Sequence, residues 1–318
     1  MTGLTSVTTP PATGPGGRPA PRRPHARRGH AREWPGAVFV APQMIMLALF
    51  MLAPTIYAIY TSLFTSKLIG GEHFSGLANY GTVLRSNEFW GGVERVVIFA
   101  VVQVPVTISI AFVLAALLEA GLVPWGRFFR TVFFLPYAVP GVVAALMWSF
   151  LLLPGFGSYA RLMDAIGLHD VNFFSSKLIL PTIIVIVIWE WTGYNMVVLH
   201  ASLTSIPKEV TEAALMEGAS FWRIAARIKL PMVMPSIVML AFLNGVGALQ
   251  LFTEPQILAT FQPQAVSFGF TPSLFVYHTA VGSGLYNLGA AAAVILALII
   301  GVISLGGLAM RRRQGEFR

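Results

Sequence analysis

The chain of 318 residues is 56% hydrophobic and only 11% charged, with a mean hydropathy of +0.73. A soluble domain carries about 25% charge, so this composition excludes an ordinary soluble globule and predicts an all-α integral membrane protein. The net charge of +8 sits in segments flanking apolar runs, where the positive-inside bias accounts for it, and nucleic acid is not an expected partner; the absence of cysteine excludes disulfides and thiolate metal sites.

Residues 1–33 are rich in Pro, Gly, Thr and Arg without apolar periodicity, and read as a disordered basic tail. A secretory signal is the competing reading. The apolar stretch after Trp34 runs to about Phe64, however, well past a 7–15-residue signal core, and is read as a retained first span. Runs long enough to cross a hydrocarbon core, about 20 residues each, lie near 37–63, 96–118, 131–153, 179–203, 232–252 and 286–309. Residues 34–310 therefore form one domain with six transmembrane helices, and 311–318 a basic C-terminal tail. Pro42, Pro54, Pro105, Pro136, Pro140, Pro181 and Pro235 are expected to kink these spans.

The connections 64–95 and 154–177 are long enough for short helices and carry the aromatic anchors Phe89, Trp90, Phe173 and Phe174, which either receive an external partner or cap the bundle. The connection 253–285 has no Lys or Arg, and its one acid is Glu254. Gly289, Ala290 to Ala293 and Gly301 in the last span suit close helix contact in lipid. His25, His30, His73, His169, His200 and His278 show no ligand spacing, so no metal site is expected. In the six-span arrangement sixteen Lys and Arg fall on the side of the termini and five on the other. This predicts cytoplasmic termini and a cytoplasmic 204–231 connection.

Two segments carry candidate chemistry. Within the fourth span, Glu190 is a carboxylate at membrane depth, by default a functional candidate. Trp191, Tyr194 and Asn195 follow at i, i+3, i+4 on one face, and rings beside an amide suit a sugar. A packing cluster with Glu190 paired to a neighbouring helix is the plainer alternative. In the fifth span Asn244, Gly245, Gly247, Gln250 and then Glu254 form a polar track that either lines the same cavity or serves helix contact.

The second segment is the 204–231 connection. Lys208 to Glu217 are good helix formers behind Pro207, with acids early in the helix, and Gly218 stops them. Phe221 to Lys229 then sets Phe221, Trp222, Ile224, Ala225 and Ile228 against Arg223, Arg227 and Lys229, and Pro231 ends the segment. The expected result is a water-exposed helix–Gly–helix elbow at the membrane surface. An interfacial helix binding only headgroups is the alternative, but Glu209, Glu212 and Glu217 would face an anionic leaflet that repels them, while Ala213-Ala214 offers a surface a protein cleft can grip.

Glu212-Ala213-Ala214, then Leu215, Met216, Glu217, Gly218 and Ala219, with Ile228-x-Leu230-Pro231 downstream, resembles the EAA motif of bacterial ABC importer permeases. Two positions depart from it: the acid before the glycine is usually Asp and here is Glu217, and a common Phe is Ala225. Residues from about 37 to 310 are similar to the carbohydrate permeases of the maltose and glycerol-phosphate type, and the resemblance implies a type I importer-like fold in a bacterial cytoplasmic membrane. It further implies a second permease, two ATP-binding subunits that hold ATP and Mg2+ and receive the elbow, an extracytoplasmic binding protein, and a sugar as substrate. No cofactor is expected in this chain itself, because none of its four lysines follows a glycine as a P-loop requires; it is read as a non-catalytic subunit. A proton-coupled transporter using Glu190 and a passive membrane scaffold are the competing classes.

Overall fold

The computed structural model describes residues 34–67, 71–167 and 171–313. The tail expected over 1–33, His169 and the last five residues lie outside the described residues. Residues up to Ala53 form one unit, with α1 (Trp34–Leu47) running through Pro42 into a π-helical turn, Ala48–Leu52. The side chains of this turn are exposed and apolar, as lipid contact requires.

The second unit begins at Pro54, within α2 (Ala53–Ser62). A hairpin of β1 (Phe64–Lys67) and β2 (Gly71–Phe74) follows, antiparallel with Phe64 opposite Phe74, then α3 (Ala78–Leu84). Asn79 binds this cap together, its Nδ2 donating to the carbonyls of Ser62 at 2.8 Å and Phe64 at 2.7 Å.

Helix α4 (Asn87–Glu119) is 33 residues long and runs through Pro105. At about 1.5 Å per residue it is longer than a bilayer core is thick. It starts nine residues before the span expected at 96, because Ser86 caps it by accepting from the Phe89 amide at 3.3 Å and Glu88 sits at its positive end. Phe89 is therefore a fully buried helix residue, and Trp90 a helix residue exposed beside it, rather than anchors in a connection.

The third span is not a straight crossing of 131–153. Helix α5 (Gly126–Ala138) and α6 (Gly141–Leu151) meet at 96° across Val139-Pro140, where proline removes the amide that would continue the ladder. Helix α7 (Ser158–Ala165) leads to α8 (Ile179–Thr204). Beyond the elbow come α9 (Lys208–Met216), α10 (Phe221–Ile224), a π-helical turn Ala225–Lys229 and α11 (Leu230–Met232). A bend of 72° at Val233 separates this stretch from α12 (Met234–Leu249). Pro231 thus lies inside the helical stretch instead of ending it, and Pro235 opens α12 in its first turn, where a missing N–H costs nothing.

Helices α13 (Thr253–Phe261) and α14 (Pro272–Tyr277) with a π turn at His278–Gly282 fill the last connection. Helix α15 (Tyr286–Arg313) carries the final span and continues past the tail boundary expected at 311. Among the described residues four helical stretches are long and apolar enough to cross a membrane, and counting each of the two bent pairs as one span gives six.

Helices α4 and α8 form the central pair, with α12 against both. Towards α9 the core is Ala111, Ala115, Met196, Leu199, Leu203 and Leu240. Towards the opposite end it is Phe99, Ile183, Ile186, Leu258 and Leu274. There the Arg95 guanidinium of α4 donates to the Gly269 carbonyl at 3.1 Å and lies 5.4 Å from the centre of the Phe270 ring, fastening the last connection to the bundle.

Candidate functional site

The fourth span brings its polar residues to two different places. Trp191 and Tyr194 stay together and are joined by Tyr137 of α5, which stacks on Tyr194 at 4.9 Å and meets Trp191 edge-on at 5.4 Å. Asn195 leaves that face. Its side chain is fully buried and exchanges hydrogen bonds with Asn244, the Asn244 amide donating to Asn195 Oδ1 at 2.9 Å and the Asn195 amide to Asn244 Oδ1 at 3.4 Å. Each amide also donates to its own helix, at Trp191 and Leu240, both at 2.8 Å. The pair is a polar clasp between α8 and α12, satisfied internally as lipid demands. Asn195 was expected on the pathway, and the clasp accounts for its place; Asn244 belongs to the clasp and also touches the cavity beside it.

That cavity, about 200 Å3, is lined by Gln103, Val187, Trp191, Asn244, Gln250 and Glu254 among others. Gln103 of α4, almost completely buried and donating to Thr107 at 2.9 Å, was not singled out from the sequence, although an amide inside so apolar a helix is a readable signal. Gln250 caps α12 and is exposed, so the polar track of the fifth span ends where the helix does. A second cavity of about 170 Å3 adjoins the first through Trp191 and Glu254, with Tyr137, Val139, Gly141 and Glu190 as its other walls. The α5–α6 bend is what opens it: Val139 and Gly141 flank the corner, and Glu254 Oε1 lies 3.6 Å from where a Gly141 Cβ would stand. Glu190 is buried, and its Oε1 has no hydrogen-bond partner within the protein.

At the other end of α8 the elbow has the geometry its sequence predicts. Gly218 sits at φ +75°, the left-handed position that favours glycine. Its amide donates to Leu215 at 2.9 Å and that of Ala219 to Ala214 at 3.0 Å, the paired bonds of a Schellman helix stop. The glycine six residues after Glu212 is thus a backbone requirement. No side chain of α9 is buried; Glu212, Ala213 and Glu217 are exposed, and Leu215 at 57% and Met216 at 88% present apolar surface to solvent. The two adjacent apolar side chains lie on the same short helix as Glu212 and Ala213.

The second limb differs from its expected pattern. Trp222, placed on the apolar face, is 57% exposed, whereas Lys229, placed on the polar face, is buried and ion-paired with Glu119 at the end of α4. The π-helical turn over Ala225–Lys229 accounts for Lys229, since the wider turn rotates its last residues relative to a regular helix; Trp222 lies before the turn, in α10. Ile228 and Leu230 are half-buried and Pro231 exposed, so the Ile-x-Leu-Pro stretch seats the limb on the bundle. A cleft of about 390 Å3, lined by Glu119, Lys208, Glu212, Phe221, Ile224 and Lys229 among others, separates α9 from this limb. Lys229→Ala strands a largely buried carboxylate, and the expected loss of thermal stability in the detergent-solubilised assembly is on the order of 3 kcal/mol, most of it recovered in the double variant Glu119→Gln with Lys229→Met.

Three comparisons place the chain among known proteins. Residues 107–313 match the family described as the binding-protein-dependent transport system inner membrane component. The lactose transport system permease protein LacF of Rhizobium radiobacter is 30% identical over 272 residues, 85% of this chain and 91% of that one. The alpha-glucoside transport system permease protein AglF of Rhizobium meliloti is 28% identical over 274 residues, 83% of this chain and 78% of that one. The fold matches a chain of a bacterial alginate ABC transporter, crystallised with its alginate pentasaccharide-bound periplasmic protein, at a TM-score of 0.78 and 23% identity, covering 90% of this chain and 96% of that one.

Proposed function

The chain belongs to the family of binding-protein-dependent transport system inner membrane components, and from that premise we propose that it imports a carbohydrate under the drive of ATP-binding subunits docked on its elbow. The observation that carries this reading is the elbow itself: an amphipathic helix with every side chain at least partly open to solvent, stopped by a left-handed Gly218, and followed by a second limb that buried Lys229 keys to the far end of the helix lining the cavity. Force on the elbow has a route into the membrane through the Lys229–Glu119 pair, because α4 is one continuous helix from Glu119 back past Gln103.

In this arrangement both termini and the 204–231 elbow are cytoplasmic. Glu212, Ala213, Ala214, Leu215 and Met216 enter a cleft on an ATP-binding subunit, and Gly218 holds the turn. Closure of two such subunits on ATP and Mg2+ rocks the bundle, and a second permease completes the pathway. The solute reaches it from an extracytoplasmic binding protein. The names of the lactose and alpha-glucoside relatives support a sugar as that solute, and Trp191, backed by Tyr137 and Tyr194, supplies a face for C–H stacking in the cavity where Gln103 and Gln250 supply amides for hydroxyls.

The competing mechanism, proton coupling through Glu190, separates from this one by energy source. Uptake by membrane vesicles is expected to persist when a protonophore collapses the proton gradient, provided ATP is supplied. Uptake that stops with the gradient while ATP remains contradicts the proposal.

A further inference from the structure

The smaller of the two cavities has a composition that a neutral sugar does not require. Its walls are two carboxylates, Glu190 and Glu254, two aromatic rings, Tyr137 and Trp191, and the corner residues Val139 and Gly141. No Lys, Arg or His is among the described residues that line it or the cavity it adjoins. Glu190 is 5% exposed, and one of its oxygens is buried without a hydrogen-bond donor.

A buried carboxylate oxygen with no donor is costly, and a second carboxylate across the same small space adds to the cost. Those features ask for a positive, hydrogen-bond-donating group. The rings narrow its identity, since their faces attract an organic ammonium, whereas a hard metal ion wants a full shell of oxygen ligands. Among the described residues no cluster of three acids or histidines offers such a shell. At about 170 Å3 the space is below the roughly 300–1,000 Å3 of a pocket that holds a whole ligand. It suits one group of a larger molecule whose remainder lies in the adjoining cavity with Gln103, Asn244 and Gln250.

We propose that Glu190 and Glu254, with Tyr137 and Trp191, form a cage for the protonated amino group of the transported carbohydrate, making this subunit selective for amino sugars over neutral and anionic ones. The inference rests on the importer reading and names its substrate class. A sugar ring stacks in the larger cavity and turns its ammonium substituent through the Trp191 and Glu254 boundary. Phosphorylated sugars and uronates meet two carboxylates there and are repelled.

The test uses the complete transporter, purified with its partner subunits but without the binding protein, which has a selectivity of its own. The probes are the β-1,4-linked disaccharide of glucosamine and its N,N′-diacetylated form, alike in backbone and different in charge. Equilibrium dialysis in buffer near neutral pH, followed by tryptophan fluorescence as a second readout, is expected to give at least about tenfold tighter binding of the free amine. In Glu190→Gln/Glu254→Gln the ratio falls to about one, and the single Glu254→Gln variant, which leaves the buried Glu190 in place, gives an intermediate ratio. Equal binding of the two probes by the native assembly overturns the proposal. So does a preference that survives the double substitution, or binding of neither probe. ATP hydrolysis stimulated by the loaded binding protein, measured on the same preparation, separates the cases: stimulated hydrolysis without amine preference overturns the cage alone, and its absence overturns the importer reading beneath it.

Discussion

Gly193→Val is expected to leave little stable permease in the membrane. A Cβ at Gly193 would stand 1.9 Å from the Phe133 carbonyl oxygen and 2.8 Å from the Phe134 Cα, both backbone atoms of α5 that no rotamer change can move. The two helices must separate, and α5 carries Tyr137 of the aromatic shelf and leads directly into the bend that opens the smaller cavity. In lipid, where helices associate by close packing instead of by the hydrophobic effect, lost contact is not offset by burial elsewhere. The cost is about 3 kcal/mol or more, at the upper end of overpacking. Thermal unfolding of the solubilised complex and the amount of mature protein in the membrane fraction both report it. Gly245→Ala is the matched control, because nothing lies within 4 Å of its added Cβ; its expected effect is neutral to slightly stabilising through helix propensity.

The second large effect separates assembly from coupling. Gly218→Val has open space around the new side chain but demands a left-handed backbone at φ +75° from a β-branched residue, a strain of at least about 1–2 kcal/mol. The Schellman turn reopens and α9 loses its fixed direction. Insertion and thermal stability are expected to stay near native values, since no side chain of α9 is buried. ATP-driven uptake falls about tenfold or more, the factor that 1.4 kcal/mol supplies. Gly218→Asn, which tolerates the left-handed region better, should retain an intermediate rate. Normal uptake in Gly218→Val would remove the elbow from the coupling route.

Much of this is legible in the sequence. Span positions follow from hydropathy, and the elbow from acids behind Pro207 and a stop at Gly218, because both are local properties of the chain. The shared face of Trp191 and Tyr194 was also local, and it survives as a ring contact at 6.2 Å. What the sequence could not carry were pairings between distant segments. Lys229 looked like a solvated base until its partner Glu119, 110 residues away, turned it inward. Asn195 and Asn244 are separated by 49 residues, and either alone reads as a cavity amide. The corner at Val139-Pro140 was visible as a proline and not as a 96° turn, since proline removes one hydrogen bond while the neighbouring helices decide how far the chain swings. Tyr137 is illegible for the same reason: only the corner places it beside Trp191.

These pairings connect the two candidate sites. Helix α4 has Gln103 at the cavity and Glu119 at the elbow, and α8 has Glu190 and Trp191 at the cavity and ends three residues before Pro207. The clasp of Asn195 with Asn244 ties α8 to α12, whose own start is the bend at Val233. In the proposed mechanism a displacement of the elbow is carried to the cavity along these three helices.

The most direct measurement is solute accumulation by proteoliposomes containing the two permeases, prepared with and without the ATP-binding subunits and with ATP and Mg2+ on the side of the elbow. Accumulation only when those subunits and ATP are both present is the predicted result. Accumulation by the permeases alone, powered by an imposed proton gradient, would contradict it.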